Sequence, residues 1–118
     1  MVKDTAVSVN NIFFFDGENG KELVRIDAGN IGFWAKNHHK LEAIDLNKDR
    51  LAHRLQMQAI NAVTFSKVHG LHTIGIKLGA DGQWAISVND TPLHKISYVH
   101  ELQNFYRCLT GDELVQLG

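Results

Sequence analysis

The chain has 118 residues, a formal net charge of −1 and 44% apolar residues. This length is close to the commonest domain size, so we predict a single domain over residues 1–118 with its own core. The single cysteine, Cys108, cannot form an internal disulfide, and the nearly neutral charge argues against a dedicated nucleic-acid binder. No apolar run suits a membrane span or a signal peptide, so we expect a cytoplasmic protein without membrane contact.

The first third of the sequence predicts β-structure. Short apolar runs occupy residues 12–15, 23–26 and 31–35, and segments rich in Gly, Asn and Asp separate them. Glycine adopts positive φ easily, and Asn and Asp stabilise turns through their own side chains. Three such runs with short turns predict an antiparallel meander.

The middle of the chain carries apolar residues at helical spacing. Asp45 or Asn47 can cap the start of a helix, and Gly70 can close its end. At 100° per residue, the apolar residues between them fall within one arc of about 160°. This pattern predicts one long central helix that packs on a sheet through Leu51, Ala52, Leu55, Ala59, Ala62, Val63 and Phe65.

A hairpin and a second helix are predicted after Gly70. Residues 74–78 and 84–88 alternate apolar and polar side chains around a Gly-rich turn, which is typical of a β-hairpin. Ser97 can cap a C-terminal helix, and Thr110 with Glu113 matches a further capping box. The sequence therefore predicts an α+β fold: an antiparallel sheet of about five strands (meander plus hairpin), packed by the central helix and the C-terminal helix.

Seven histidines are the one unusual feature of the composition. A zinc site needs three or four converging ligands, and a histidine can also act as a general base in a small enzyme. Adjacent side chains such as those at 38 and 39 diverge, and no nucleophile elbow, zinc-binding helix or phosphate loop is present. We expect no metal, cofactor or catalytic residue, and we keep an enzyme or metal protein as an alternative that would use His38, His39, His53, His69, His72, His94 and His100.

Nucleic-acid binding is a second alternative. Residues 36–54 carry five basic and three acidic side chains. Lys36, Lys40, Arg50 and Arg54 would contact phosphates there, and the preceding residues 33 and 34 are aromatic and suited to base stacking. The acidic ends of the chain oppose phosphate binding.

The predicted central helix also has apolar residues opposite its core stripe. His53, Met57, Ile60 and Thr64 lie within about 60° of one another on that side. An apolar second face suits contact with another subunit or with a protein partner. The sequence therefore predicts a small non-enzymatic binding or interaction domain, most simply a homodimer, with these four residues in the interface.

Overall fold

The computed structural model describes residue 2, residues 7–18 and residues 20–114. Within these residues, strands and helices build the α+β fold that the sequence predicts. In chain order the elements are β1 (Ile12–Gly17), β2 (Gly20–Arg25), α1 (Ile31–Lys36), a 3₁₀ turn (His38–Lys40), β3 (Leu41–Glu42), a π-helical turn (Arg50–Arg54), β4 (Gln58–Ala59), β5 (Thr64–His69), β6 (His72–Leu78), β7 (Trp84–Val88), β8 (Thr91–Ile96) and α2 (Val99–Thr110).

The strands form two antiparallel sheets rather than the one predicted sheet. The smaller sheet has the order β2-β1-β3, and the larger sheet has the order β4-β5-β6-β7-β8. The predicted hairpin of residues 74–78 and 84–88 is confirmed as β6 and β7, with Ile76 opposite Ile86. An unpredicted strand, β8, follows Asn89 and Asp90, whose φ angles of 49° and 68° are those of a tight hairpin turn.

The prediction of a third strand in the meander is wrong, because residues 31–36 form the helix α1. The Asp27 carboxylate accepts hydrogen bonds from the backbone N–H groups of Gly29 and Asn30, both at 2.8 Å. This turn leads directly into the helical bond from Ile31 N–H to the Asp27 carbonyl, at 2.9 Å. A local side-chain turn thus overrides the β-propensity of the apolar run.

The long central helix is also wrong. Asn47 does cap a helical start, since its Oδ1 accepts the Arg50 N–H at 2.7 Å. The helical turn ends at Arg54, and Gln56 follows with a φ of 54°, which no right-handed helix accommodates. Leu51 and Leu55 are buried as predicted, whereas Ala59 and Ala62 are exposed.

The second half of the predicted helix forms the edge of the larger sheet. Residues from Thr64 to His69 pair with β6 along their whole length, and Gly70 forms the hairpin turn with a φ of 60°. β-branched and aromatic residues favour this pairing, because they pack well on a pleated surface. The spacing of Leu51, Leu55 and Phe65 fits a helix only because a turn and a strand happen to bury those residues on one side.

Two apolar cores lie on opposite sides of β1, whose side chains alternate between them. Ile12 and Phe14 face the first core, between the larger sheet and α2, whereas Phe13 and Phe15 face the second. The buried members of the second core are Val2, Val7, Phe13, Ile26, Trp34 and Leu41. β1 is therefore the element that joins the two halves of the fold.

The C-terminal helix begins one residue later than Ser97 would place it. The Glu101 carboxylate accepts the N–H groups of Ser97 and Tyr98, both at 3.0 Å, and so caps the first turn of α2. Thr110 is the last helical residue rather than a second cap, and Gly111 ends the helix with a φ of 77°. No helix among the described residues is long and apolar enough to cross a membrane.

Candidate functional site

An open cleft of about 390 Å³ lies at the edge of the smaller sheet. It forms where β1 extends beyond its pairing with β3. β1 continues to Gly17, but β3 pairs only with Phe14 and Phe15. The helix α1 and the 3₁₀ turn contribute the lining residues that do not come from the sheet. The lining residues are Phe15, Asp16, Trp34, His39, Lys40 and Glu42.

Aromatic rings form one wall of this cleft. The rings of Phe15 and Trp34 lie 5.2 Å apart between centroids, and Trp34 is buried in the second core. Phe33 meets the Trp34 ring edge-on at 4.9 Å, yet 57% of Phe33 is exposed. The Trp34 ring therefore contacts two other rings, of which Phe33 is the exposed one.

Charged groups form the rest of the lining. The Lys21 ammonium lies 2.5 Å from Glu42 Oε2, so a side chain of β2 reaches across β1 to a side chain of β3. This hydrogen bond raises the pKa of Lys21 above its ordinary value. Asp16 and Lys40 are exposed, and neither forms a salt bridge with another described residue. The Lys40 ammonium group thus remains available to a ligand, whereas the Asp16 carboxylate lies opposite Lys21 in the register of β1 and β2 and its charge acts on that ammonium group.

The lining of the cleft combines aromatic rings, carboxylates, one ammonium group and one imidazole. The lining contains no hydroxyl or thiol side chain that would serve as a nucleophile. His39 contacts the neighbouring His38 ring at 6.1 Å, and the His38 Nδ1 lies 2.7 Å from the Val2 carbonyl oxygen. His38 is therefore engaged with the backbone of Val2, whereas His39 lines the cleft.

The four residues predicted to contact nucleic acid do not form one patch. Lys36 and Lys40 lie on α1 and on the 3₁₀ turn, beside the cleft. The Arg50 guanidinium stands 5.8 Å from the centroid of Phe14, a ring that faces away from Phe15, and it donates to the Asp45 carbonyl at 2.7 Å. Arg54 lies on the same π-helical turn as Arg50. Their role in phosphate contact stays a prediction, but the structure divides the basic segment between two places.

The four residues predicted to form a partner interface do not share a helix face. His53 is exposed on the π-helical turn, and Ile60 is exposed after β4. Met57 is 4% exposed and belongs to the first core, while Thr64 begins β5. The structure thus removes the helix on which the angular argument rested, and partner binding by these side chains remains untested.

The seven histidines are spread over the fold. The described residues include no group of three or more His, Cys, Asp or Glu side chains placed to hold a metal ion. His69 Nε2 lies 2.5 Å from Asp112 Oδ2, His53 lies 3.7 Å from Asp49, and the His94 ring contacts Phe105 at 5.6 Å. Each of these rings has a different neighbour, so the histidines do not converge on one site.

The sequence alone did not indicate the cleft as a site. The sequence makes Trp34 and Lys40 candidates for base stacking and phosphate contact, whereas Asp16 falls in a segment that predicts a turn and Glu42 belongs to no pattern. The missing signal is the pairing of β1 with β3, which joins Phe14 to Glu42 and Phe15 to Leu41, residues that are far apart in the sequence. A strand of two residues is too short to show the alternation of apolar and polar side chains from which strands are predicted.

Comparison of the chain with protein-family models, with curated proteins and with solved structures finds no match. The geometry of the described residues is therefore the basis for a functional proposal. Of the features described above, the cleft is the one that combines a held aromatic wall with uncommitted charged groups.

Proposed function

We propose that the chain is a small non-enzymatic interaction domain that holds a segment of a partner protein in the cleft beside Trp34. The observation that carries this proposal is the aromatic wall of Phe15 and Trp34, which extends to the exposed Phe33. Aromatic residues are enriched in the centres of protein interfaces, because they bury much area with little loss of conformational freedom. A polar rim around such a centre is the usual arrangement.

The rim of the cleft supports a protein segment as the occupant. Asp16, Lys40 and His39 also line the cleft, so it carries groups of both charge signs and an imidazole. A peptide offers side chains and backbone amides that match such mixed chemistry over several contacts. The cleft volume of about 390 Å³ is enough for one or two side chains.

The partner can be another protein or a second copy of this chain. Exposed apolar residues outside the cleft, such as Leu71 and Leu93, lie at a hairpin turn and on the edge strand β8, where a second copy would find them. Sedimentation equilibrium at several concentrations separates these cases. A concentration-dependent dimer that the cleft variant below abolishes would make the chain its own partner.

Selection of short random peptides on the immobilised protein tests the proposal. Peptides enriched on the wild type are then measured against the double variant Asp16→Ala/His39→Ala, which removes two exposed side chains from the cleft. The matched control is Asp49→Ala/His53→Ala, the same chemical change on the exposed surface of the π-helical turn. We expect at least a tenfold loss of affinity in the cleft variant, or about 1.4 kcal/mol, and none in the control.

Three results would contradict the proposal. Failure to enrich any peptide above background would remove the binding function, and equal affinity for both double variants would remove the cleft from it. Loss in the control alone would move the contact to the π-helical turn and to His53. Salt-sensitive binding of a single-stranded oligonucleotide, together with no peptide binding, would favour the nucleic-acid alternative instead.

A further inference from the structure

The charges around the cleft indicate which kind of partner segment it holds, an inference that rests on the proposed function. Side chains alternate along β1, and residues that are paired across the sheet share a face. Asp16 therefore lies on the face of Phe14, opposite Lys21 of β2. Glu42 of β3 is paired with Phe14 and shares that face, and the Arg50 guanidinium stands over the Phe14 ring. The two carboxylates of the cleft lining thus have cationic groups on their own side of the sheet.

The segment that supplies the rest of the lining carries basic groups and no acidic ones. Neither Asp nor Glu occurs from residue 28 to residue 41, a range that covers α1 and the 3₁₀ turn. Lys36, His39 and Lys40 are exposed there, and the last two of them line the cleft. The exposed Phe33 lies three residues before Lys36 on α1, so its ring and that ammonium group share a face of the helix. This side of the cleft therefore presents a basic surface next to exposed aromatic area.

We propose that the partner segment is acidic, with a carboxylate that binds Lys40 and a neighbouring apolar side chain that packs on the aromatic rings. Lys40 is exposed and makes no salt bridge with another described residue, so its ammonium group is free to bond to a carboxylate. Trp34 lines the same cleft, and the Phe33 ring meets it edge-on. An apolar side chain placed there buries area on these rings without needing a polar partner.

Acidic groups near the cleft favour a peptide over nucleic acid as the source of the negative charge. Asp16 and Glu42 line the cleft, and Glu22 of β2 is paired with Phe15 on the other face of the sheet. A nucleic acid carries a phosphate at every nucleotide and would bring further phosphates toward these three carboxylates. A peptide with one or two acidic residues also offers backbone N–H groups, which carboxylate oxygens accept. Asp16 then contributes as such an acceptor, and the Asp16→Ala/His39→Ala variant removes it.

The test uses the peptides enriched on the wild type. An acidic peptide and its amide analogue, in which Asn or Gln replaces each Asp or Glu with nearly the same shape, are titrated by isothermal calorimetry. We expect the wild type to prefer the acidic form by about fivefold, the size expected of an exposed ion pair, and Lys40→Gln to lose most of that preference. Lys77→Gln makes the same chemical change at an exposed position of β6, in the larger sheet, and should keep the preference. Circular dichroism and thermal melting verify that each variant is folded.

The failures of the two proposals are distinguishable. Peptides that bind in the cleft but lack acidic residues, or that bind equally well as amide analogues, would overturn the acidic partner and leave the interaction domain intact. An acidic preference that survives Lys40→Gln, or that Lys77→Gln weakens as much, would also overturn it. A single-stranded oligonucleotide that displaces the acidic peptide and binds more tightly would assign Lys40 to nucleic acid instead. If no peptide binds in the cleft, both proposals are wrong.

Discussion

At the scale of single residues, Gln103 joins three parts of the chain through one buried amide. Its Nε2 donates to the carbonyls of Asn10 and Leu114, both at 3.0 Å, and its Oε1 accepts the Ile12 N–H at 3.1 Å. The side chain is fully buried, and its hydrogen bonds to Ile12 and Leu114 are buried with it. Gln103 therefore links α2 to the start of β1 and to the residues after the helix.

Replacement of this amide by an apolar side chain is expected to destabilise the fold strongly. Gln103→Leu leaves buried polar groups unsatisfied, and each costs about 1–3 kcal/mol. We predict a loss of at least about 2 kcal/mol in the free energy of unfolding, measured by urea denaturation. Cys108→Ser, at an exposed position of the same helix, is the control and should change stability by less than about 0.5 kcal/mol. Equal effects of the two changes would show that the Gln103 hydrogen bonds are not formed.

The burial of His100 is expected to make the free energy of unfolding depend on pH. Its ring lies 5.1 Å from Phe13 and 5.8 Å from Tyr98, and its Nδ1 is buried without a hydrogen-bond partner among the described residues. Burial lowers the pKa of His100 below its ordinary value of 6.5, against the opposing charge of Glu101. Below about pH 6.5 the unfolded chain binds a proton that the folded chain does not, so the free energy of unfolding falls as the pH drops.

Urea denaturation at pH 7.5 and pH 5.5 measures this contribution. We expect His100→Leu to lose less stability than the wild type between these values, because the variant cannot take up the proton in its unfolded state. His53→Leu, at an exposed histidine, should keep the dependence of the wild type. If His100→Leu shows the same acid loss as wild type, the imidazole is not held in its neutral form.

At the scale of elements, residues 50–69 distinguish the observed turn and strand from the predicted long helix. Leu55 is 1% exposed and contributes to the first core, whereas Ala62 is exposed in the segment before β5. Leu55→Ala should cost about 2–5 kcal/mol, because it leaves a cavity. Ala62→Lys should change stability by less than about 0.5 kcal/mol.

In a continuous helix, the expected effect of Ala62→Lys on stability would be large instead of small. There Ala62 would lie two turns after Leu55 on the core stripe, and a buried lysine would destabilise the protein as much as the cavity does. A large loss of stability in Ala62→Lys, measured by thermal or urea unfolding, would therefore contradict the strand assignment of β5.

The sequence predicts those elements whose pattern of apolar residues and turn residues lies within one short segment. The hairpin of β6 and β7 was found because its alternation and its turn are adjacent in the chain. The prediction of a helix from Leu51 to Phe65 is wrong, because apolar residues at helical spacing also arise when a turn is followed by a strand. The sequence does not predict α1. Two hydrogen bonds to the Asp27 carboxylate start the helix and outweigh the β-propensity of residues 31–35.

The candidate site was less accessible to sequence reasoning than the fold. Phe15 and Asp16 come from β1, whereas Trp34 and Lys40 come from the helix and turn that follow β2. Only the antiparallel pairing of β1 with the two residues of β3 places these groups around one cleft. Such non-local pairing is set by the packing of the whole chain, and no spacing rule for a single segment expresses it.

For the whole molecule, the proposed function requires the cleft at the edge of the smaller sheet beside α1 to be a binding surface. Heteronuclear NMR of ¹⁵N-labelled protein, titrated with an enriched peptide, measures whether the peptide binds there. We predict saturable shifts of the Trp34 indole N–H and of the Asp16 and Lys40 amides, with no comparable change at Ile60 or Thr64. Shifts centred on residues 53–64, or no saturable shift at Trp34, would contradict the account.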